Sequence, residues 1–221
     1  MKFILIVAIG RSGSTTLQRI INTIDNSNIT GENNNFIFEI LKAYNNLRRT
    51  IKMTPKDKNN LFISAHELEK IQKKPCWYNS FNLEKIKDDL RKIIIDFLDI
   101  NNNRVLGFKE IRWYENYDLI NEFIDLFPNT KVVLHYREDI EKQSKSGWFA
   151  KNKDAFNEIT KLNNDLIDFY NKNKNSNNYN TYYLSTFNNL FDINRMKELF
   201  KFLDEKFNNE EYNRIINNNL K

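Results

Sequence analysis

Gly10-Arg11-Ser12-Gly13-Ser14-Thr15-Thr16-Leu17 is the stretch on which the reading of this chain turns. An apolar run, Phe3-Ile4-Leu5-Ile6-Val7-Ala8-Ile9, leads into it, and apolar residues at helical spacing, Leu17, Ile20, Ile21 and Ile24, follow. Strand, small-residue loop and helix in that order build an anion cradle. Free N–H groups and the positive end of the helix dipole point at one spot. Gly10 and Gly13 permit tight backbone and close approach of a phosphate. Ser14, Thr15 and Thr16 add hydroxyl donors for the same oxygens. An ordinary βα turn capped by Ser or Thr uses the same residue types, so the cation has to decide the chemistry. A nucleotide-hydrolase loop needs G-x-x-x-x-G-K-[ST]. Here the glycines stand too close together and no Lys follows Gly13. The fixed cation is Arg11, inside the loop, which suits two-pronged recognition of a tetrahedral anion. ATP hydrolysis is disfavoured.

Outward from the loop, Asn28 to Asn33 reads as a brief strand or turn, and Phe36 to Leu47 as a helix. Thr50 to Ser80 is poorly patterned, with Pro55, Pro75 and an isolated His66, and reads as an insertion or mobile segment over the site. Leu83 to Ile100 is a long amphipathic helix. A strand over Arg104–Phe108 ends in Lys109-Glu110-Ile111-Arg112-Trp113, and a helix over Leu119–Phe127 closes at Pro128. A strand over Lys131–Tyr136 ends at Arg137. The helix after it opens with Glu138-Asp139 and carries Gln143 to Trp148. A helix from Ala155 to Tyr170, a polar linker to Asn178, a strand over Thr181–Leu184, and helices over 193–203 and 209–216 complete the chain. Strands alternating with helices imply a three-layer α/β fold of P-loop-like type, with a mainly parallel sheet of about four to five strands covered on both faces. Residues 1–221 read as a single domain with a helical or mobile insertion around 50–103. Ligands of such sheets sit beyond the carboxyl ends of the strands. That edge gathers Arg11, Lys109 to Arg112, and Arg137.

Composition narrows the function. With 17 Phe and 10 Tyr in 221 residues, a sizeable core is available. The net charge of +5 suits an anionic ligand, yet is too small to argue for nucleic acid, for which no motif appears. Asn runs such as Asn33–Asn35 and Asn101–Asn103 read as caps and loop punctuation. Cys76 is the only cysteine, so an intramolecular disulfide is impossible and a reducing, cytoplasmic setting is expected. Phe3 to Ile9 is followed by Gly10-Arg11 and not by a small-residue cleavage site, and no later stretch has the length of a membrane span, so a soluble protein is expected.

The loop resembles the 5′-phosphosulfate loop of sulfotransferases, a strand followed by (K/R)-S-G-(S/T)-T-L, with Ser14 as an extra residue of a bacterial-type variant. In that family a strand-end Arg and a Ser on the next helix bind the 3′-phosphate of the cofactor. Arg137 occupies that strand end, with Ser146 favoured, since Ser146-Gly147-Trp148 is similar to the family's S-G-W ending, and Ser144 second. Gly31-Glu32-Asn33 resembles the G-E-(E/N) segment of the tyrosylprotein-type members, and Gly107 to Trp113 their strand-end Lys segment. The C-terminal resemblance is weaker: Asn188-Asn189 stand in place of an acidic pair, and Phe187 in place of a Tyr.

The resemblance implies sulfonate transfer from 3′-phosphoadenosine 5′-phosphosulfate (PAPS) to a hydroxyl or amine of a small-molecule or glycan acceptor, without a metal. Arg11 and the backbone of residues 12–16 (Ser12, Gly13, Ser14, Thr15, Thr16) would hold the 5′-phosphosulfate, and Arg137 with Ser146 or Ser144 the 3′-phosphate. Lys109 would be a second cation near the transferring group. Glu32 is the preferred general base and Glu110 the alternative. When Thr16-Leu17 are aligned with the tyrosylprotein enzymes, their catalytic Glu falls at Asn33. The His that steroid-type members place beyond the strand-end Lys is Ile111 here. His135 reads as a satisfied core residue, and His66 as surface. Trp77, Tyr78, Trp113, Tyr114 and Trp148 are candidates for the acceptor site, and Thr50 to Ser80 for its specificity. A different class remains open, a phosphate-binding module or a small-molecule kinase with a degenerate loop. A kinase needs an acidic Mg²⁺ ligand at a strand end, and the strand ending at Arg137 supplies none.

Overall fold

The computed structural model describes residues 1–53, 64–72, 81–99, 101–174 and 181–219. Five strands form one sheet: β1 (Lys2–Ala8), β2 (Ser27–Thr30), β3 (Val105–Glu110), β4 (Thr130–Tyr136) and β5 (Tyr182–Thr186). They lie in the order β2-β3-β1-β4-β5, and every pairing is parallel. The helices are α1 (Ser14–Ile21), α2 (Phe36–Met53), α3 (Ala65–Gln72), α4 (Leu83–Leu98), α5 (Asp118–Leu126), α6 (Ile140–Ser144), α7 (Ala155–Asn173), α8 (Ile193–Phe202) and α9 (Asn209–Asn219).

The central strand shows why the sheet needs two helical layers. Side chains alternate across a strand, and β1 has no polar residue after Lys2, so both of its faces must be covered. Phe3, Leu5, Val7 and Ile9 enter one core with residues of α2, α4, α5 and α7. Ile4, Ile6 and Ala8 enter the other, with residues of α1, α8 and α9. Ile4, Leu5, Ile6 and Val7 have no exposed surface, and burying each stabilises the fold by roughly 1.5–3 kcal/mol. Within the 50–103 segment, α4 precedes β3 and belongs to this layering, placing Ile94 and Leu98 in the first core. Asn caps α4, its Asn82 side chain accepting from the Lys85 N–H. Asn also punctuates the loops. Asn26, Asn34, Asn35 and Asn102 take left-handed conformations that Asn tolerates better than bulkier residues.

Topology also sets where a ligand can enter. From β1 the chain leaves toward β2 on one side, and from the adjacent β4 toward β5 on the other. The segments following β1 and β4 therefore diverge and open a crevice at the carboxyl ends of those two strands. The Gly10–Thr16 loop follows β1 and Arg137 follows β4.

Most expected elements stand within a few residues of their places, with two differences that matter. β3 runs on to Glu110, so Lys109 and Glu110 belong to the buried strand and not to the loop beyond it. The helix expected to carry Gln143 to Trp148 stops at Ser144; Ser146 is extended, and Gly147 lies at φ 60°. Cys76, Trp77, Tyr78 and most of Thr50 to Ser80 lie outside the described residues. No helix among the described residues is long and apolar enough to cross a membrane.

Gly107 fixes the spacing of β3 against β1. A methyl group there would overlap the main-chain carbonyl of Ile4, which cannot move without breaking the sheet. Gly107→Ala is expected to cost more than about 2 kcal/mol, read as a lowered urea midpoint at unchanged m-value.

Candidate functional site

The loop after β1 is shaped by where its hydrogen bonds go. Its carbonyl groups are taken by the protein: Ile9 O accepts from Ser12 N, and Gly13 O from Thr16 N and Leu17 N. Gly10 O accepts from Gln143 Nε2 at 2.7 Å, and Ser12 O from His135 Nε2 at 3.0 Å. The N–H groups of Gly13, Ser14 and Thr15 have no such partner, as expected at the start of a helix, and no side chain caps α1. Acceptors are consumed and donors are left over, which is the condition for binding an anion. Arg11 and Gly13 both take left-handed conformations, at φ 62° and 87°. The cost of holding a non-glycine residue there is met by a fixed surround.

Much of that surround is the segment after α6. Arg11 Nε donates to Ser146 Oγ at 3.0 Å. Gly147 lies against the Arg11 side chain, where any Cβ would come 2.7 Å from Nε. The Trp148 indole packs on Gly10 so closely that a Cβ on that glycine would overlap it. The break after Ser144 is thus what lets Ser146 reach the loop, and Ser146 is not on the helix as expected. Ser144 stays on α6, where its hydroxyl donates to the Glu141 carbonyl.

Arg11, Gly13, Ser14, Thr15, Arg137, Ser146 and Phe187 wall a cavity of about 240 Å³ that contains no carboxylate. Arg137 stacks its guanidinium 4.4 Å from the Phe187 ring centroid, and its Nε is buried without a hydrogen-bond partner. Neither Arg11 nor Arg137 forms an ion pair among the described residues, although Glu138 and Glu141 stand close to Arg137 in sequence. Of the other loop residues, Ser12 and Thr16 spend their N–H groups internally, leaving residues 13 to 15 as the backbone donors. A cavity of about 310 Å³ at the opposite end of the sheet is walled in part by Arg104 and Glu205, which neutralise each other at 2.6 Å.

The carboxylates read as candidate bases part company. Glu110 has no exposed surface, and its oxygens accept from the Arg112 side chain and from the N–H groups of Ile111 and Arg112. It is a buried structural anion that cannot reach a substrate. Glu32 follows β2 with its side chain 38% exposed, and Oε1 accepts from Lys109 Nζ at 2.6 Å. Asn33, at the position of the family's catalytic Glu, instead caps α2, its Oδ1 accepting from Ile37 N. Trp113 is fully buried against Phe38 and Phe108, so it is a core residue and does not line an acceptor site. Tyr114 and Trp148 are exposed.

This arrangement of strand-end loop and second arginine meets independent similarities. The model of the sulfotransferase family matches residues 4–177. The chain belongs to the sulfotransferase family. As a fold, this sulfotransferase is similar to the sulfotransferase domain from the Synechococcus PCC 7002 olefin synthase, with a TM-score of 0.56 and 12% identity, over 96% of this chain and 75% of that one. It is also similar to a sulfotransferase from Alicyclobacillus acidocaldarius, with a TM-score of 0.50 and 10% identity, over 94% and 83% of the two chains. No curated protein matches its sequence.

Two supports of the loop carried little signal in the sequence. Gln143 has no exposed surface and reads as an ordinary helix residue until its bond to Gly10 is seen. His135 was read as a satisfied core residue, and the structure shows what satisfies it. A carbonyl only accepts, so Nε2 carries the proton toward Ser12, and Nδ1 accepts from Ser185 Oγ at 3.3 Å. Burial lowers its pKa from 6.5 to about 4. The folded state therefore refuses a proton that the unfolded chain takes up below about pH 6.5. Stability present at neutral pH is expected to fall between pH 6.5 and about 4, by on the order of 3 kcal/mol from this residue. Urea unfolding across that range measures it, with a shallower slope expected for His135→Gln.

Proposed function

We propose that this chain uses PAPS as donor and transfers its sulfonate to a hydroxyl or amine of a small-molecule or glycan acceptor. The observation that carries this reading is the cavity between two strand ends, walled by no carboxylate among the described residues, with neither Arg11 nor Arg137 in an ion pair among those residues and Ser146 beside Arg11. The donor carries anionic groups at two separated positions, and the cavity offers cationic donors from two separated strands. The orphaned Nε of Arg137 fits such a ligand.

When bound, the donor supplies an electrophilic sulfonate, whose sulfur–oxygen bond to the phosphate breaks as a bond to the acceptor oxygen or nitrogen forms. Arg11 and the N–H groups of Gly13, Ser14 and Thr15 hold the 5′-phosphosulfate and offset the charge that grows on the phosphate. Arg137 and Ser146 hold the 3′-phosphate. Lys109, on the interior strand β3 and with its side chain only 8% exposed, places an ammonium at the strand end. Glu32 takes the acceptor proton. In the resting protein Lys109 Nζ donates to Glu32 Oε1 at 2.6 Å, which holds the carboxylate beside the strand end.

Thermal-shift titration tests the ligand. Adenosine 3′,5′-bisphosphate is expected to stabilise the protein far more than adenosine 5′-phosphate. Stabilisation by ATP with Mg²⁺ but not by the bisphosphate would overturn the reading in favour of a kinase-like protein. Arg137→Ala is expected to erase the preference for the 3′-phosphate, a loss of about tenfold or more from one charge-assisted hydrogen bond. With labelled sulfonate, Glu32→Gln is expected to lower kcat by about 100-fold or more while bisphosphate affinity is retained.

A further inference from the structure

On the other side of Gly10 from the anion cavity lies a second cavity of about 240 Å³, walled in part by Gly10, Arg112, Tyr114, Trp148, Phe149 and Glu158. The two cavities meet at the loop, because Trp148 packs on Gly10 while Arg11 lies 6.0 Å from the Trp148 ring centroid. Arg112, in the wall of the second cavity, is near enough to Glu32 for the two charges to interact.

Its walls combine two kinds of surface. Trp148 and Tyr114 are 54% and 41% exposed, large aromatic groups left open beside the loop. Arg112 and Glu158 contribute opposite charges. Arg112 is held flat by Glu110, with Nε to Oε1 at 2.8 Å and Nη2 to Oε2 at 2.9 Å. Those bonds use one edge of the guanidinium, and its side chain remains 30% exposed. Glu158 is exposed, and its Oε2 accepts from Asn152. Partial burial, together with the carboxylates of Glu115 and Glu158, raises the Tyr114 pKa, which keeps its hydroxyl protonated.

From this juxtaposition we infer that the cavity is the acceptor site and that its ligand is a neutral saccharide ring. A volume near 240 Å³ admits one ring and not an extended hydrophobic body. An aromatic face covers the C–H face of a sugar, while a flat guanidinium and a carboxylate donate to and accept from its hydroxyls. A simple phenol has one polar end and would leave either the open edge of Arg112 or the second oxygen of Glu158 covered and unmatched. An anionic ring meets the charge of Glu158. A neutral ring bearing several hydroxyls satisfies both ions. For transfer, which rests on the donor reading above, one saccharide hydroxyl oxygen bonds to sulfur, its proton passes to Glu32, and the sulfur–oxygen bond to the nucleotide phosphate breaks.

Saturation-transfer NMR with neutral methyl glycosides reads the cavity without any donor. Wild-type protein is expected to saturate the sugar ring protons, with the signal lost in Trp148→Ala and weakened in Glu158→Gln, an exposed change that leaves the core intact. If no glycoside binds while phenols of similar size do, or if both variants bind as wild type does, the inference fails whatever the donor titration shows. In the transfer assay, Glu158→Gln is expected to raise KM for the saccharide by about tenfold at unchanged bisphosphate affinity. Bisphosphate binding combined with transfer to phenols only would overturn this inference and leave the donor reading standing; absence of bisphosphate binding, with glycoside binding retained, would do the reverse.

Discussion

Backbone carbonyls in the loop after β1 are all but spent on the protein itself, and the rest of the site depends on that accounting. His135 reaches up from inside β4 to take the Ser12 carbonyl, and Gln143 reaches across from α6 to take that of Gly10. Both side chains have no exposed surface, so water does not compete for these bonds. With its acceptors engaged from below and from the side, the loop can hold Arg11 in a left-handed conformation and turn its remaining N–H groups outward. The anion cavity is therefore a property of the β1–β4 pairing and of the packing of α6, more than of the glycine-rich stretch alone.

The same dependence links the two strand ends. The chain after β4 does more than supply Arg137. Its short helix ends at Ser144, Gly147 turns the backbone through φ 60°, and Ser146, Gly147 and Trp148 brace the loop by a hydroxyl, a bare glycine face and an indole. The indole then has two neighbours: the loop after β1 behind it and an open cavity in front. Chemistry at one cavity is thus set against the geometry of the other by one rigid segment.

Much of this was legible in the sequence, where local pattern and global fold agree. The β1 run, the small-residue loop and the Leu17-Ile20-Ile21-Ile24 face state their own conformations. The alternation of strands and helices then implies the parallel sheet. Ser146 and Arg137 were found by resemblance, and the structure brings Ser146 to Arg11 as an independent fact. What was not legible follows from long-range contacts. Residues 140 to 148 carry no strong helix breaker except Gly147, so the early end of α6 shows only once Arg11 is seen occupying the space beside that glycine. Glu110 looked like a free carboxylate, although its spacing of two from Arg112 at a strand end places both on one face and hints at the pair. Asn33 occupies the position of a family carboxylate, yet a helix start with its own capping demand took it over.

That neither Arg11 nor Arg137 is held in an ion pair among the described residues has a kinetic side. In the resting protein Arg11 leans on a serine hydroxyl and Arg137 on a phenylalanine ring, neither of which cancels a charge. On the donor reading proposed above, an arriving polyanion has no ion pair of either arginine to break, so its capture is steered by charge and slows as ionic strength rises. Every polyanion of suitable size feels that same pull. Discrimination is left to the steps after encounter, where the fixed spacing of the two guanidinium groups sets how long each visitor stays.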